Sequence, residues 1–335
     1  MIITKTPFRM SFFGGGTDME SFFKENGGSV LSTTFDKYCY VNVRHLPRFF
    51  DYSTELSYSK TERVTNIDDI EHPAIRNAMK MLDMHEIRLT YEADLPARSG
   101  LGTSSSFAVG MLNAFYALKG KYASKKQLAD EAIYLERVLC DEAGGWQDQI
   151  AASFGGFNRI DFNADGYTVH PVIVSPQRKQ QLNNNLMMFF TGFTRFSSEI
   201  QKANKLDDES KTKQLKQMLT LVDEAESILT DQSKDLDDFG RLLDVTWKLK
   251  RQTGKSVSTS NIDNLYDKGI SAGALGGKLL GAGGGGFLVF YVTPEKQAAV
   301  KEAMEDLLYI PFKFEDSGTQ VIYYGPEDYS PVEVE

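Results

Sequence analysis

The chain has 335 residues, 41% of them hydrophobic, and a formal net charge of −9 at pH 7. That length predicts about two domains with well-formed cores, and the acidic balance argues against a broad nucleic-acid surface. No apolar run nears the ~20 residues of a membrane span, and "MIITKTPFRMSFF" is broken by polar residues where a signal peptide would be apolar. The two cysteines, Cys39 and Cys140, form neither a metal set nor a disulfide framework. The expectation is a soluble, cytoplasmic protein, with no membrane or nucleic acid as partner and an open oligomeric state.

In chain order, "PFRMSFFGGGTD" (7–18) reads as a strand running into a triple-glycine turn. Strand-like runs follow at 37–46 ("KYCYVNVRHL") and 86–93 ("EIRLTYEA"), with helices near 72–83, 103–118 and 124–140, the first started by His72 and Pro73. The polar stretch "SPQRKQQLNNN" (175–185) breaks the pattern. It divides the chain into an N-terminal domain, 1–178, and a C-terminal domain, 179–335. A strand at 186–192 then leads into two amphipathic helices. One carries Leu215, Met218, Val222, Ala225 and Leu229, the other Leu236, Phe239, Leu243 and Leu249, and both stripes read as packing faces. The chain closes with strand, helix and strand around "FLVFYV", "PEKQAAVKEAMEDLL" and "TQVIYYG".

The chemistry concentrates in three glycine clusters. "ARSGLGTSSSF" (97–107) is a glycine loop opening a helix, with hydroxyl residues in its first turn. A first turn carries unpaired N–H groups and the positive end of the helix dipole, which favour an anion. Glycines allow close approach to a phosphate, and a serine hydroxyl can ligate magnesium. The plainer alternative is a serine-rich helix start after an ordinary turn. In "GGKLLGAGGGGFLVFYV" (276–292), Gly281, Gly283 and Gly286 have dinucleotide-fingerprint spacing. That fingerprint needs a helix after its glycines, and "FLVFYV" is a strand. A Walker-type loop fails as well, because Lys278 is followed by Leu279 and position 272 is not glycine.

Taken together, "PFRMSFFGGGTD", "LPARSGLGTSSS" and "KLLGAGGGG" resemble the three motifs of the GHMP kinases in order and spacing across essentially the whole chain. The resemblance implies an α+β architecture: an N-terminal ribosomal-S5-like α/β domain, a C-terminal ferredoxin-like α+β domain, and an active site between them. It further implies ATP and Mg2+ as cosubstrate and cofactor. Gly100, Leu101, Gly102, Thr103, Ser104 and Ser105 would cradle the nucleotide. Ser104 and Glu136 would hold the metal, Glu136 lying twelve residues before Asp148 as the family has it. Asp148 would face the acceptor hydroxyl, with Arg9 beside it. Gly16, Thr17, Asp18, Gly283, Gly284 and Arg195 would contact the substrate.

"IEHPAIRNAM" and "TGFTRFSSEI" resemble the branch that phosphorylates D-glycero-D-manno-heptose 7-phosphate at the anomeric hydroxyl. "GLGTSS" and "GGWQDQ" also resemble L-fucokinases, with Trp146 where the heptose enzymes more often carry lysine. A distal phosphate would need local cations, for which Arg44, Arg48 and Arg195 are the candidates. A non-catalytic sugar or nucleotide sensor would have lost the acid or the metal ligands, and Asp148, Glu136, Ser104 and Arg9 are all present. An ATP-dependent decarboxylase fits the sugar-type ending "GGGTD" poorly.

Overall fold

The computed structural model describes residues 1–97, 99–192, 208–254, 257–281 and 283–325. Its first element, β1 (Ile2–Phe13), is almost wholly buried. It pairs antiparallel with the long β2 (Gly28–His45), Arg9 opposite Thr34. A short helix, α1 (Glu20–Asn26), fills the connection after the triple glycine. The hairpin β3 (Thr54–Ser57) and β4 (Thr61–Val64), then α2 (Pro73–Met81) and β5 (Ile87–Ala93), extend the sheet beyond β2. As the sequence suggests, α2 starts at His72, whose ring accepts the Ile75 amide, with Pro73 in the first turn.

The central helix α3 (Thr103–Leu118) is buried on nearly every side and lies against β1 and β2. Gly110 permits that approach: a Cβ there would sit 2.7 Å from Thr6 Oγ1. Where one helix was expected over 124–140, the chain forms α4 (Lys125–Tyr134) followed by a single π turn, Leu135–Leu139. Next come α5 (Gln147–Phe154) and the hairpin β6 (Phe157–Asn163) and β7 (Gly166–Pro171), with β6 on the other edge of β2's first half.

The break expected at 175–185 is instead a helix, α6 (Pro176–Asn184). Ser175 caps it by accepting from Arg178 N, and Pro176 stands in its first turn. Only Leu182 is buried, so the helix shows no apolar stripe to betray it. The second sheet is antiparallel, in the order β11 (Leu308–Ile310), β8 (Leu186–Phe190), β10 (Phe287–Tyr291), β9 (Gly276–Leu279). It packs with α7 (Asp208–Thr230), α8 (Asp237–Gln252), α9 (Ser260–Ser271) and α10 (Gln297–Ala303). The closing helix is shorter than expected, since Leu308 belongs to a strand. The last strands, β12 (Phe314–Glu315) and β13 (Gln320–Tyr324), return to the first sheet, Tyr324 pairing with Ile2.

One apolar cluster joins the two sheets. Phe12 and Phe13 of β1 meet Phe239 of α8 edge-on, at 5.4 and 5.0 Å between ring centres. The α7 stripe expected from sequence, Leu215 to Leu229, is buried, and Val222, Ala225 and Leu229 complete that cluster. Edge-to-face pairs add roughly 0.5–1.5 kcal/mol beyond burial. The consequence is positional: α8 is fixed over the end of β1, where the triple glycine begins. Among the described residues, no helix is long and apolar enough to cross a membrane.

Candidate active site

The glycine loop ahead of α3 is left-handed at Gly100 (φ +83°) and Gly102 (φ +73°). Gly102 is the N-cap and offers no side chain, so the N–H groups of the first turn have no side-chain cap. An uncapped helix start of this kind has the form of the anion-binding end that the sequence leads one to expect. The third glycine cluster backs the loop directly. A Cβ on Gly100 would lie 2.3 Å from Leu280 O, and one on Gly286 would lie 2.1 Å from Ser99 O. Gly283 and Gly284 are buried against Val257, whose carbonyl accepts from Gly284 N at 3.1 Å. β10 follows these glycines, which confirms that the dinucleotide fingerprint is accidental.

Two hydroxyls of the first turn of α3 grip one carboxylate. The exposed Ser104 donates to Glu136 Oε1 at 2.8 Å and the buried Ser105 to Oε2 at 2.7 Å. Gln149 Nε2 donates to Oε2 as well. The π turn presents Glu136, whose carboxylate is 2% exposed, and such turns recur at functional sites. Leu101 is buried, and its carbonyl accepts from Arg9 N at 3.1 Å. Thr103 is buried in the same turn.

Arg9 and Asp148 form a two-pronged pair, Nε to Oδ1 at 2.7 Å and Nη2 to Oδ2 at 3.1 Å, while Arg9 Nη1 donates to Gly100 O at 2.8 Å. Such forks fix a carboxylate in one orientation. Arg9 is 5% exposed and Asp148 24%, so the carboxylate is the open end of the pair. It lies in the first turn of α5.

The first motif is tied to the loop before α5. Asp18 accepts from Gly16 N at 2.8 Å and Gln147 N at 3.3 Å, and its carbonyl accepts from Trp146 N at 3.1 Å. Gly145 is needed there, since a Cβ would fall 1.8 Å from Asp18 Oδ2. Thr17 is fully buried, its hydroxyl shared among Gly14 O, Ser29 O and Ser29 N. That hydroxyl closes the turn and is fully buried, so the side chain presents no exposed surface for the ligand contact expected of it.

Four further side chains reach this region without having been anticipated. Ser11 Oγ and Gln147 Oε1 are buried and have no hydrogen-bond partner among the described residues. Lys250 of α8 donates to Gly15 O and Lys278 of β9 to Phe12 O, each at 3.0 Å. Burial pushes the Lys278 pKa well below its ordinary value, with repulsion from Lys250 and Arg9 adding to the effect. Burial lowers that of Lys250 too, against the attraction of Asp18. A lysine inside the apolar "GGKLL" was the one available signal; Lys250 sits in the polar run "LKRQ" and gave none.

Arg44 and Arg48 lie elsewhere. Arg44 is ten residues along β2 from Thr34, the partner of Arg9, roughly 33 Å at about 3.3 Å per residue. Arg48 is paired with Glu86. Arg195 falls outside the described residues.

Residues 70–156 match the family model for the GHMP kinases N terminal domain, and 224–310 that for GHMP kinases C terminal. The chain is 31% identical over 324 residues to D-glycero-alpha-D-manno-heptose 7-phosphate kinase of Campylobacter jejuni, covering 90% of this chain and 93% of that protein. The chain belongs to the GHMP kinase family. It is an ATP-dependent sugar kinase, a phosphotransferase with an alcohol group as acceptor. The L-fucokinase/L-fucose-1-P guanylyltransferase of Bacteroides fragilis is 26% identical over 343 residues, covering 89% of this chain but 35% of that longer protein. A D-glycero-D-manno-heptose 1-phosphate kinase from Bacteroides thetaiotaomicron shares the fold, with a TM-score of 0.77 over 96% of this chain and all of that one at 24% identity. A GHMP kinase fold therefore accounts for both sheets.

Proposed function

We propose that this kinase transfers the γ-phosphoryl group of ATP to the anomeric C1 hydroxyl of D-glycero-D-manno-heptose 7-phosphate, giving the 1,7-bisphosphate and ADP. The observation that carries the reading is the Arg9–Asp148 fork beside the uncapped N-terminus of α3. It supports the reading because a carboxylate held in one orientation lies beside a helix start suited to phosphate. The likeness to the Campylobacter jejuni heptose 7-phosphate kinase supports the choice of sugar.

Phosphoryl transfer asks the protein mainly for alignment and charge placement. The N–H groups from Thr103 to Ser105 would hold the nucleotide phosphates, with Gly100 and Gly102 letting the backbone come close. The bond from the β,γ-bridging oxygen to Pγ breaks and the bond from O1 to Pγ forms. The O1 proton passes to Asp148, or the carboxylate orients the hydroxyl and gains the proton late. An anomeric hydroxyl is more acidic than an ordinary alcohol, which suits a carboxylate acceptor. Arg9 holds Asp148 in place, and Asp18 keeps spare lone pairs for a sugar hydroxyl.

The residues at Ser104 and Glu136 fit Mg2+. They offer only oxygen ligands, a carboxylate and an exposed hydroxyl already 2.8 Å apart, and magnesium takes one or two carboxylates together with substrate phosphates. When bound, the ion would offset phosphate charge during transfer.

L-Fucose is the competing acceptor, supported by the likeness to the Bacteroides fragilis enzyme. The deciding experiment follows ADP release with MgATP and heptose 7-phosphate, heptose or L-fucose as acceptor. Heptose 7-phosphate is expected to give the highest kcat/KM. A clear preference for L-fucose would overturn the choice of sugar.

A further inference from the structure

Lys278 is 5% exposed, and among the described residues Phe12 O is the acceptor of its only hydrogen bond. An ammonium has three donors, so two of its N–H groups are unused. Lys250 likewise has one bond, to Gly15 O, and its Nζ would stand 3.4 Å from a Cβ on Gly16. Neither lysine has a carboxylate within ion-pair distance among the described residues. Lys278 is buried and Lys250 part-buried; ammonium groups drawn out of water are costly unless paired, so a chain of net charge −9 that leaves two together has left room for an anion.

The nearby carboxylates do not supply it. Asp148 is occupied by Arg9, and Asp18, whose oxygens accept backbone amides, attracts both lysines without reaching ion-pair distance, so one carboxylate faces two ammonium groups. Lys211, at the start of α7, adds to the positive field felt by Lys250. Around the same glycines, Ser11 Oγ and Gln147 Nε2 come within 3.6 and 3.8 Å of where a Gly15 Cβ would be, and Ser11 Oγ has no partner. The surroundings therefore combine unused ammonium donors with unused hydroxyl and amide groups. That is the chemistry of a phosphorylated polyol.

Two phosphates could in principle meet these lysines, the transferred group or one the acceptor already carries. The nucleotide phosphates have the N–H groups of α3. The lysines instead hold Phe12 O and Gly15 O of the first motif, whereas the cation bonded to the glycine loop and to Asp148 is Arg9. We propose that Lys250 and Lys278 form the subsite for the distal phosphate of the acceptor, an assignment that rests on the heptose 7-phosphate reading. It replaces Arg44 and Arg48 as the local cations that the acidic chain requires.

The test compares kcat/KM for heptose 7-phosphate and for unphosphorylated heptose in the parent, Lys250→Met and Lys278→Met, with Tm recorded for each. The parent should prefer the phosphorylated sugar, and each variant should lose roughly tenfold or more of that preference, since a charge-assisted contact is removed only when the phosphate is present. Lys250→Arg should retain most of it. If a variant loses activity equally on both sugars, its lysine only supports the loop and the subsite is wrong, while the choice of substrate stands. If the parent itself shows no preference for the phosphorylated sugar, the substrate reading fails with it. Should Lys278→Met not fold, Lys250→Met and Lys250→Arg decide alone.

Discussion

The two halves of the candidate site are built from different materials. The nucleotide side is backbone: a glycine loop, an uncapped helix start and a second glycine cluster packed behind it at 2.1–2.4 Å for any added Cβ. The sugar side is made of side chains drawn from β1, α5, α8 and β9, several of them buried polar groups without partners. Backbone N–H groups serve any nucleoside triphosphate and tolerate little change. Side chains gathered from four elements can be exchanged one at a time, which is how one fold accommodates different acceptors.

The largest expected effect lies where the two halves meet. Asp148→Asn should lower turnover by at least ~100-fold, the usual scale for a lost general base, while ATP binding measured by calorimetry stays near that of the parent. Most activity remaining would reduce Asp148 to a helix-start residue. The next effects should separate the halves. Gly100→Ala forces strain at φ +83° and a clash with Leu280 O, and strain of ~1–3 kcal/mol should weaken ATP use by on the order of tenfold. Gly145→Ala displaces Asp18 instead and should raise the sugar KM by a similar factor. Equal effects of both variants on both substrates would erase the distinction.

Ser104→Ala and Glu136→Gln should each weaken MgATP use several-fold, with partial rescue at high magnesium. If both respond to magnesium like the parent, the metal assignment fails.

A smaller effect concerns stability. Removing a buried, unpaired ammonium is neutral or stabilising, so Lys278→Met should raise Tm by about a degree or two near neutral pH. The sign with pH follows from linkage. The folded-state pKa of Lys278 lies well below 10.5, so between those values the unfolded chain binds the extra proton and parent stability rises with pH. The advantage of the variant should therefore be full at low pH and shrink as pH approaches 10.5. The smallest effect is expected at Arg48→Ala, within about twofold in kcat/KM for the sugar phosphate, because Arg48 pairs with Glu86 at the far end of β2.

Legibility in the sequence followed the same division. Contiguous motifs exposed the glycine loop ahead of α3, and the resemblance to a family whose motifs keep their order pointed to Arg9 with Asp148 and Ser104 with Glu136, which the structure brings into contact. The stripes of α7 and α8 were equally plain, since periodicity reports burial. Lys250 and Lys278 were not legible, because their meaning comes from packing between residues more than 230 positions apart in the chain. Nor did the sequence show that the Thr17 hydroxyl is engaged in the turn that its own glycines create. The polar stretch at 175–185 hid a helix because Ser175 and Pro176 set its start while almost none of it is buried.

The most direct test of the central claim is the identity of the product. Phosphorus NMR of a reaction with MgATP and heptose 7-phosphate should show a second sugar phosphate signal, coupled to the anomeric proton, growing in step with ADP. A new phosphate on any other carbon, or ADP formed without a second sugar phosphate, would contradict an anomeric kinase centred on Asp148.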